Sequence, residues 1–464
     1  MDKWKRMQLF RLLSQRKEKI IIDPDKEYSL VTISNKGIIS LRETKKGALI
    51  SATEGFVARS GDFIYSRLSV HTGAFGLVPS ELDGALITNE MPYFQIDKKL
   101  IIPDFLLDAL SQPDFLWQLK QLTKGVGRVR IKEASFLALQ IHIPGLEEQK
   151  KIESHINSLK NTCKAMNIEF THQKNLLKKF RQQILQEAIE GKLTADWRAQ
   201  NPDVEPASEM LKRIAAEKAQ LVKDKKIKAQ KPLPPITDEE KPFELPEGWE
   251  WCRLGNVAYG FQYGTSSKSA KTGDIPVLRM GNIQAGEIDW DNLVYSNDAA
   301  ENDKYRLTEG DLLFNRTNSR ELVGKTALYR GDQTAIYAGY LVRFHMADGI
   351  SPDFANIVMN SRLHSEWCDE VKTDALGQSN INATKLSNFR FPLASMDEQE
   401  KIVDKAYKLL ALYDQLETQI TQNQTHAEQL MQAVLKEAFS HNSEVEPTAK
   451  KDTASTHISE GTSA

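Results

Sequence analysis

Three short polar segments in the second half of the chain concentrate side chains of the kinds that read nucleic-acid bases. Arginine pairs with guanine, and asparagine or glutamine pairs with adenine, through two parallel hydrogen bonds. The segments are residues 278–283, 315–320 and 377–382, and their candidate base-contacting residues are Arg279, Asn282, Asn315, Arg316, Arg320, Gln378, Asn380 and Asn382. The first half offers Arg67, Arg128 and Arg130. These residue types predict a surface that contacts base edges.

A solvated loop is the plainer interpretation of any one of these residues, but polar clusters recur at matched positions of the two halves. The matched pairs are Arg67 with Arg316, Arg128 with Asn380, and Thr32 with Arg279. An arginine common to both halves favours a contact with phosphate or with the fold, because such contacts carry no sequence information. The pairs that differ are therefore the better candidates for sequence discrimination.

Catalytic motifs are incomplete in this sequence. Residues 323–326 (Val-Gly-Lys-Thr) resemble the end of a phosphate-binding loop, but Ser319 stands where the first glycine of that loop is required. Asp353, Glu370 and Lys372 match a nuclease-like set of two acids and a lysine that could hold Mg²⁺. The first half has neither the second acid nor the lysine at the matched positions. We therefore predict no catalytic residues and no metal site.

The elements that must position these loops occur twice, about 250 residues apart. Residues 61–67 (Gly-Asp-Phe-Ile-Tyr-Ser-Arg) correspond to residues 310–316 (Gly-Asp-Leu-Leu-Phe-Asn-Arg), and Pro-Asp-Phe at 103–105 corresponds to Pro-Asp-Phe at 352–354. The rest of the globular sequence matches only in scattered blocks. Two similar scaffolds with dissimilar heads indicate a protein that reads two different things at a fixed separation.

Each half ends in a long segment whose apolar residues are spaced alternately by four and three positions. This spacing is typical of the seam of a coiled coil, and a polar residue within such a seam fixes its register. Gln173 and Asn423 are the polar residues at matched places of the two stripes. The predicted helix-pairing residues are Ile152, Ile156, Leu159, Phe180, Ile402, Leu409, Leu416 and Leu430.

Composition sets the broad class of protein. At 464 residues the chain is too long for one core and suits two domains with connections. It has no apolar run of membrane-spanning length, no secretory leader pattern, and three scattered cysteines without a CxxC pair, so we expect a cytoplasmic protein that is not in a membrane.

Lys and Arg outnumber Asp and Glu by 21 to 16 in residues 1–145 but are outnumbered by 15 to 19 in residues 246–394. Positive charge for DNA binding must therefore be clustered in the second head.

Changes in pattern along the chain predict six regions. A mixed α/β head is expected at 1–145, a long helix at 146–198, a connector at 199–244, a second head at 245–394, a second long helix at 395–440 and a disordered tail at 441–464. Gly191 follows the first helix, as glycine commonly does after a helix end. Pro232-Leu-Pro-Pro235 in the connector cannot continue a helix.

Several blocks in order make the sequence resemble the specificity subunits of Type I restriction-modification enzymes. The blocks are the Glu-Gln-x-x-Ile openings of both helices (148–152 and 398–402), Gly-Lys-Leu-Thr-Ala-Asp-Trp-Arg at 191–198, Pro-Leu-Pro-Pro-Ile at 232–236 and Leu-Pro-Glu-Gly-Trp at 245–249. The first head lacks the Leu-Pro-x-Gly-Trp opening and begins at Trp4, and the second helix lacks a Gly-Lys-Leu-Thr block after it. The resemblance covers nearly the whole chain except the tail.

The resemblance implies an α+β fold with two mixed α/β target recognition domains. Each domain is followed by a long helix, and the two helices pack as an antiparallel coiled coil with pseudo-twofold symmetry. It also implies a non-catalytic subunit that binds double-stranded DNA at two half-sites separated by an unread gap. The implied partners are two methyltransferase subunits and motor-nuclease subunits. These partners, and not this chain, are expected to bind S-adenosylmethionine, ATP and Mg²⁺.

Two other functions stay open from the sequence. A self-sufficient DNA-modifying enzyme with divergent motifs would show activity as the purified chain alone. A coiled-coil adaptor that binds no nucleic acid would not need polar loops at matched positions of both halves.

Overall fold

The computed structural model describes residues 4–123, 130–375 and 377–440. The chain divides into two compact units, which are considered separately below. Unit 1 contains the described residues up to Glu169 together with those from Asn423 onward, and unit 2 contains Phe170–Gln422. No helix in the described ranges has the length and apolar composition needed to cross a bilayer.

The first head is built from short strands followed by three short helices and a long one. Its elements are β1 (Lys5–Gln8), β2 (Leu13–Gln15), β3 (Lys19–Ile21), β4 (Glu27–Ile33), β5 (Ile39–Lys46), β6 (Glu54–Val57), β7 (Phe63–Tyr65), β8 (Phe75–Leu77), β9 (Leu86–Ile87), β10 (Tyr93–Ile96), α1 (Pro103–Leu110), α2 (Pro113–Leu122), α3 (Glu133–Leu137), β11 (Gln140–Ile143) and α4 (Leu146–Ile189). Pro113 begins α2 and separates it from α1, because proline lacks the backbone N–H that a continuous helix requires.

The connector and second head follow the same plan. Their elements are α5 (Ala195–Gln200), α6 (Ala207–Lys223), β12 (Glu250–Arg253), α7 (Leu254–Val257), β13 (Ala258–Tyr263), β14 (Ile275–Leu278), β15 (Ile283–Gln284), β16 (Glu287–Ile288), β17 (Val294–Ser296), α8 (Ala299–Lys304), β18 (Asp311–Asn315), β19 (Thr317–Asn318), β20 (Thr326–Leu328), β21 (Ile336–Tyr337), β22 (Leu341–Met346), α9 (Pro352–Met359), α10 (Arg362–Val371), β23 (Thr373–Ala375), β24 (Gln378–Asn380), α11 (Ala383–Ser387), β25 (Arg390–Leu393) and α12 (Met396–Ser440).

The two heads share their central sheets and differ at the periphery. The four-stranded sheet has the order β2-β10-β7-β8 in the first head and β13-β22-β18-β20 in the second. A two-stranded ribbon joins the start of each head to its end, β1 with β11 and β12 with β25. The third sheet has five strands, β3-β6-β9-β4-β5, in the first head and three, β17-β14-β21, in the second. A small sheet, β19-β24-β23, belongs to the second head. The observed folds confirm the predicted mixed α/β class and the internal repeat.

Aromatic side chains fill the space between the central sheet and the helices of each head. In the first head the rings of Tyr65 and Phe136 stack at 4.3 Å, and both side chains are fully buried. In the second head Phe354 packs edge-on against Phe391 at 5.9 Å. Burial of such large apolar side chains supplies the main favourable free energy of folding.

The helix α12 begins and ends within one residue of the predicted bounds 395–440, whereas α4 begins at Leu146 as predicted but ends well before residue 198, and α5 follows it as a separate helix. The helix α4 ends at Ile189, and Gly191 then adopts a left-handed φ of +67°. A Cβ at Gly191 would lie 2.8 Å from Pro246 Cγ and 3.1 Å from Trp249 Cζ2, so this position needs glycine for space as well as for conformation.

In each unit the start of one long helix belongs to the same apolar cluster as the end of the other. Unit 1 brings together Ile152, near the start of α4, and Phe439, near the end of α12. Unit 2 brings together Ile189, at the end of α4, and Ile402, near the start of α12. The helix segments within each unit therefore run in opposite directions.

The heptad seam was only partly right. Ile156 and Ile402 are fully buried, and Ile152, Leu159 and Leu409 are half-buried. The exposed members of the predicted set are Phe180 (39% exposed), Leu416 (43%) and Leu430 (62%).

The exposed side chains are single interruptions of the predicted stripe and not a shift of it. In α4 the stripe continues past Phe180 to the buried Ile184, and in α12 it continues past Leu416 to the buried Ala427. Asn423 is exposed, whereas the adjacent Gln424 is half-buried.

A buried glutamine fastens each head to the start of the helix that follows it. Gln149 is fully buried. Its Oε1 accepts a hydrogen bond from the backbone N–H of Ile102 at 2.9 Å, and its Nε2 donates to the carbonyl oxygens of Leu100 at 3.1 Å and Pro144 at 2.9 Å. The side chain thus satisfies three main-chain groups, two directly before α1 and one directly after β11.

Gln399 repeats this arrangement in unit 2. Its Oε1 accepts from the N–H of Ser351 at 2.8 Å, and its Nε2 donates to the carbonyls of Gly349 at 3.5 Å and Ala394 at 2.9 Å. The partners lie 249 or 250 positions after those of Gln149, so the repeat extends to single hydrogen bonds.

The block that follows α4 folds back onto the start of α12 in unit 2. The Glu398 carboxylate, which is almost fully buried, accepts from Thr194 Oγ1 at 2.7 Å, from Arg198 Nη2 at 2.8 Å and from Trp249 Nε1 at 2.8 Å. A buried carboxylate is stable only when it is paired and hydrogen-bonded in this way. This network joins the connector, the second head and α12.

Unit 1 replaces this polar network with aromatic packing. The registers Lys5↔Ile143 and Glu250↔Leu393 place Trp4 at the position of Trp249. Trp4 lies 6.1 Å from Phe439, and Phe439 lies 5.1 Å from Phe105, measured between ring centroids. The last turns of α12 are therefore fixed to the first head by apolar contacts.

Candidate nucleic-acid interface

One polar cluster in the second head gathers four of the predicted base-contacting residues around the small sheet β19-β24-β23. Arg316 lies between β18 and β19, and Asn380 ends β24. Gln378 begins β24, and Arg320 follows β19. Because β19 pairs with β24 in the register Thr317↔Asn380, residues 63 positions apart in sequence become neighbours.

Arg316 and Asn380 are held in place by each other and by two neighbouring side chains. The Arg316 guanidinium lies 4.8 Å from the centroid of the Tyr263 ring, a cation–π distance. Its Nη2 donates to Asn380 Oδ1 at 3.3 Å, and Asn380 Nδ2 donates to Thr317 Oγ1 at 2.7 Å. The Tyr263 hydroxyl accepts from the N–H of Ala383 at 3.0 Å. These contacts fix the polar groups before any ligand arrives, which lowers the entropic cost of binding.

Two tyrosines at this cluster were not predicted from the sequence. Tyr263 is 41% exposed and Tyr340 is 50% exposed. The carbonyl of Tyr340 accepts the Arg316 N–H at 3.0 Å, so Tyr340 borders the same cluster. Exposed aromatic rings beside arginine suit contact with sugars or bases. The signal available in the sequence was a tyrosine at a strand boundary, since Tyr263 ends β13 and Tyr340 directly precedes β22, but core aromatics occur at such positions too.

Gln378 and Arg320 of this cluster, together with the predicted residue Asn382, lie at its exposed edge. Gln378 is exposed, and Arg320 is 70% exposed with its Nη1 4.0 Å from Asp374 Oδ2. Asn382 is exposed and caps α11 through Oδ1, which accepts from the N–H of Lys385 at 2.8 Å. These side chains can reach a ligand without displacing other parts of the head.

The loop that contains Arg279 forms a separate part of the second head. Asn282 is only 3% exposed, and its Oδ1 accepts from the Arg279 N–H at 2.9 Å. Its Nδ2 donates to the carbonyls of Asp289 at 2.8 Å and Asp291 at 3.0 Å. Arg279 Nη2 donates to the carbonyl of Asn292 at 2.7 Å. Asn282 therefore holds the loop together, and the prediction that it reaches bases is not supported by its geometry.

Asn315 is also placed away from any interface. It is fully buried as the last residue of β18, and neither polar atom of its amide has a hydrogen-bond partner among the described residues. Sequence reasoning counted it with the exposed loop because five polar residues follow it. Pairing of β18 with β22, which places Asn315 opposite Leu341, takes its side chain into the interior.

At the matching place of the first head, the two predicted arginines that the structure describes both form ion pairs. Arg67 forms an ion pair with Glu133, and Arg130 Nε donates to both carboxylate oxygens of Glu90, at 3.1 and 2.9 Å. The Arg130 side chain is still 56% exposed, whereas that of Arg67 is 23% exposed. Arg128 lies outside the described residues.

Equivalent backbone hydrogen bonds correct one predicted match between the heads. The N–H of Ile131 donates to the Arg67 carbonyl at 3.0 Å, and the N–H of Ile381 donates to the Arg316 carbonyl at 2.9 Å. The residue that matches Asn380 is therefore Arg130 and not Arg128. The sequence alignment was two residues out of register here because Gly and Val recur in that segment.

The match between Thr32 and Arg279 agrees with the strand pairing. Leu30 pairs in parallel with Leu86 in the first head, and Val277 pairs in parallel with Ile336 in the second. Thr32 and Arg279 each lie two residues beyond the paired position. The two heads thus present different side chains from the same place in the fold.

The acids of the nuclease-like pattern have separate partners. Asp353 accepts from Arg330 Nη1 at 2.9 Å and from the Tyr407 hydroxyl at 2.6 Å, whereas Glu370 binds Arg390 Nη2 at 2.9 Å. Within the described ranges, no group of three or more His, Cys, Asp or Glu side chains is arranged to hold a metal ion.

Comparisons with known proteins point to one family. Residues 246–424 match the family model of the Type I restriction modification DNA specificity domain. The chain is 32% identical over 381 residues to the Type I restriction enzyme EcoAI specificity subunit of Escherichia coli, an alignment that covers 71% of this chain and 63% of that protein. It is 35% identical over 268 residues to the EcoEI specificity subunit of Escherichia coli, covering 55% and 44%. These alignments span less than two thirds of either relative.

Two solved structures share the fold. The HsdS subunit from Thermoanaerobacter tengcongensis gives a TM-score of 0.53 at 18% identity, covering 94% of this chain and 96% of that one. A chain from a structure that concerns complex assembly and conformational transition of the type I R-M system gives a TM-score of 0.64 at 18% identity, covering 94% and 97%. At this identity the likeness is one of fold.

Proposed function

Because the chain belongs to the family of Type I restriction-modification specificity subunits, we propose that it is the subunit that reads the DNA target of such an enzyme. The proposed target is bipartite, with one half-site for each head and an unread gap between them. DNA is the proposed substrate, so the proposed site of action is the cytoplasm.

The observation that carries this proposal is the preorganised cluster of Arg316, Asn380 and Tyr263 in the second head. Its residues present hydrogen-bonding groups of the kinds that read guanine and adenine, and exposed Gln378 and Arg320 extend it. The first head has Arg67 and Arg130 at the positions of Arg316 and Asn380. Two heads with one plan and different side chains are what a target with two unlike half-sites requires.

The proposal assigns no chemistry to this chain. Two methyltransferase subunits, held by the scaffold that the long helices provide, would methylate the target, and motor-nuclease subunits would complete the enzyme. S-adenosylmethionine, ATP and Mg²⁺ would bind to those partners. In this arrangement the specificity subunit selects the sequence and sets the distance between half-sites.

Single-molecule sequencing of DNA from cells that express this chain with its neighbouring methyltransferase tests the proposal. We expect a split adenine-methylation motif that disappears when this chain is deleted and returns when it is supplied again. An active methyltransferase that leaves no split motif in the presence of this chain would contradict the proposal. Methylation or cleavage by the purified chain alone would favour the alternative of a self-sufficient enzyme.

A coiled-coil adaptor is the remaining alternative, and the exposed cluster argues against it. Such an adaptor has no use for a fixed set of Arg, Asn and Tyr side chains on the second head, or for arginines at the matching places of the first. Binding of the assembled complex to duplex DNA with no dependence on residues of either cluster would support the adaptor.

A further inference from the structure

The connector segment 218–231 has a concentrated positive charge that the second head lacks. It contains six lysines and one acid, whereas residues 246–394 contain 15 Lys and Arg against 19 Asp and Glu. Five of the lysines are exposed, namely Lys223, Lys225, Lys226, Lys228 and Lys231. Asp224, the acid of the segment, accepts a hydrogen bond from Gln220 Nε2 at 2.9 Å. Among the described residues, none of the five lysines has an ion-pair partner.

This segment is fixed to the second head by Lys218. Its Nζ donates to the carbonyls of Gly255 at 2.6 Å and Ala258 at 2.7 Å, and it also contacts Gln230 Oε1 at 3.3 Å. Burial lowers the pKa of Lys218 to about 8. The lysine thus joins α6, the returning segment and the start of β13, and it holds the exposed lysines against one side of the head.

A tight turn at the end of α6 directs the segment. Lys225 has a left-handed φ of 56°, and the N–H groups of Lys225 and Lys226 donate to the carbonyls of Val222 at 3.1 Å and Leu221 at 2.9 Å. These bonds terminate the helix in the manner of a left-handed C-cap. The five lysines therefore follow a defined path and do not form a free tail.

Across an open cleft of about 710 Å³, the segment faces β13 and β22. Lys226, Lys228 and Lys231 line one side of the cleft, and Gln262 and Arg343 line the other, where Arg343 Nη2 donates to Gln262 Oε1 at 2.7 Å.

The wall of this cleft continues into the candidate interface. Gln262 directly precedes Tyr263, whose ring supports Arg316. Ala383, another lining residue, donates its N–H to the Tyr263 hydroxyl. The basic segment and the candidate base-contacting cluster are thus connected along one surface of unit 2.

We propose that residues 223–231 bind the phosphate backbone of DNA beside the half-site that the second head reads. The proposal rests on the proposed function and places the main phosphate-binding site of this head on the connector. DNA is a dense row of negative charges, and neutralisation of its phosphates by lysine supplies most of the affinity that does not depend on sequence. A net-negative head that approaches DNA needs such a source of positive charge, and the connector provides it at the edge of the cluster.

The test compares two double variants in the complex with the methyltransferase. The test variant is Lys226→Gln with Lys228→Gln. The control is Lys212→Gln with Lys241→Gln, which removes two exposed connector lysines that are already ion-paired, to Glu209 and to Asp238. The Kd for a duplex that contains the mapped target is measured at several salt concentrations.

We expect the test variant to reduce the slope of log Kd against log salt by about 2, because each lost phosphate contact lowers that slope by about 1. Affinity should fall to the same degree for matched and mismatched second half-sites, and the methylation motif should stay the same. The control should have the slope of the unmodified complex.

A slope that is equal in the test variant, the control and the unmodified complex would overturn the inference while leaving the proposed function intact. Loss of methyltransferase binding by the test variant would also overturn it, and would assign the segment to a protein contact. If the unmodified complex fails to prefer its target, the proposed function fails, and with it the basis of this inference.

Discussion

At the scale of single residues, the candidate interface depends on side chains that hold one another in position. Arg316 is placed by the Tyr263 ring and by Asn380, so its guanidinium has few alternative orientations. The sequence identified Arg316, Asn380, Gln378 and Arg320 because they lie in a dense polar loop. It misassigned Asn282 and Asn315, because burial is decided by strand pairing with residues far away in sequence.

Replacement of Tyr263 by leucine tests this positioning. Loss of the cation–π contact, worth about 1 kcal/mol, should weaken binding of a target duplex about fivefold. Discrimination at the second half-site should fall while that at the first stays unchanged, as measured by methylation rates on duplexes with single-base changes. Tyr263→Phe keeps the ring and serves as the control. Equal losses in the two variants would mean that the hydrogen bond from Ala383, and not the ring, is important.

A second prediction at this scale concerns His345 and Asp311. The hydrogen bond from the His345 ring to the buried Asp311 carboxylate, at 3.2 Å, raises the pKa of His345 above its usual value. Because the folded-state pKa is the higher one, the stabilising effect is complete below the unfolded-state pKa of about 6.5 and is lost as pH rises through the folded-state value.

The pH dependence of this stabilisation is checked by comparing the thermal unfolding of His345→Gln with that of the unmodified protein. The melting temperature of the variant should be lower at pH 5.5, and the difference should shrink by pH 8.5. A difference that grows with pH would show that the sign of this linkage is wrong.

At the scale of elements, the long helices show what local pattern can and cannot predict. The ends of α12 were predicted to within one residue, but α4 ends at Ile189, nine residues before the predicted bound of 198 and next to the local signal Gly191. The predicted stripe holds over much of both helices, since Ile184 and Ala427 are buried. Phe180, Leu416 and Leu430 are exposed at single positions that the local pattern could not distinguish from their buried neighbours.

The different burial of two apolar side chains of α12 gives a prediction for a pair of variants. Phe439→Ala removes a half-buried ring that contacts Trp4 and Phe105, and should destabilise unit 1 by about 1–3 kcal/mol. Leu430→Ala, at a side chain that is 62% exposed, should change stability by less than about 0.5 kcal/mol. Chemical denaturation monitored by hydrogen exchange in each unit measures both changes. A large loss of stability in Leu430→Ala would mean that Leu430 packs in the seam, as the heptad pattern predicted.

The two buried glutamines give another prediction for an element. Gln149→Ala leaves the Ile102 N–H and two carbonyls without their partner, at a cost of about 1–3 kcal/mol for each group that stays dry. Amide exchange should become faster at Ile102 in this variant and at Ser351 in Gln399→Ala. Each variant serves as the control of the other, since exchange at the opposite glutamine's partner should not change.

At the scale of the whole molecule, the repeat bears on the proposal that each head has a recognition site of its own. Each head has its own core, its own central sheet and its own polar cluster. The fold class and the duplication could be predicted from the sequence, because they depend on long blocks in order. The match of Arg130 with Asn380 could not, since it depends on backbone hydrogen bonds within each head.

If the two heads act independently, the effects of substitutions in them on the free energy of DNA binding should be additive. Arg130→Ala should relax recognition of one half-site, and Asn380→Ala should relax recognition of the other. In the double variant the two free-energy changes should add to within about 0.5 kcal/mol, as expected for distant sites without shared partners. Binding of duplexes with one or both half-sites changed measures this. Loss of both half-sites from either single variant would mean that the heads are coupled.

The paired glutamines have a consequence for how such a chain can evolve. Gln149 and Gln399 bind only main-chain atoms of their heads, and every sequence supplies those atoms. A head can therefore accumulate substitutions and keep these hydrogen bonds, provided that residues 102 and 351 are not proline and that the backbone before the first head helix and after the last strand keeps its course. The two glutamines thus place no constraint on the side chains that are proposed to contact bases, so under the proposed function new target sequences can arise without redesign of this part of the junction.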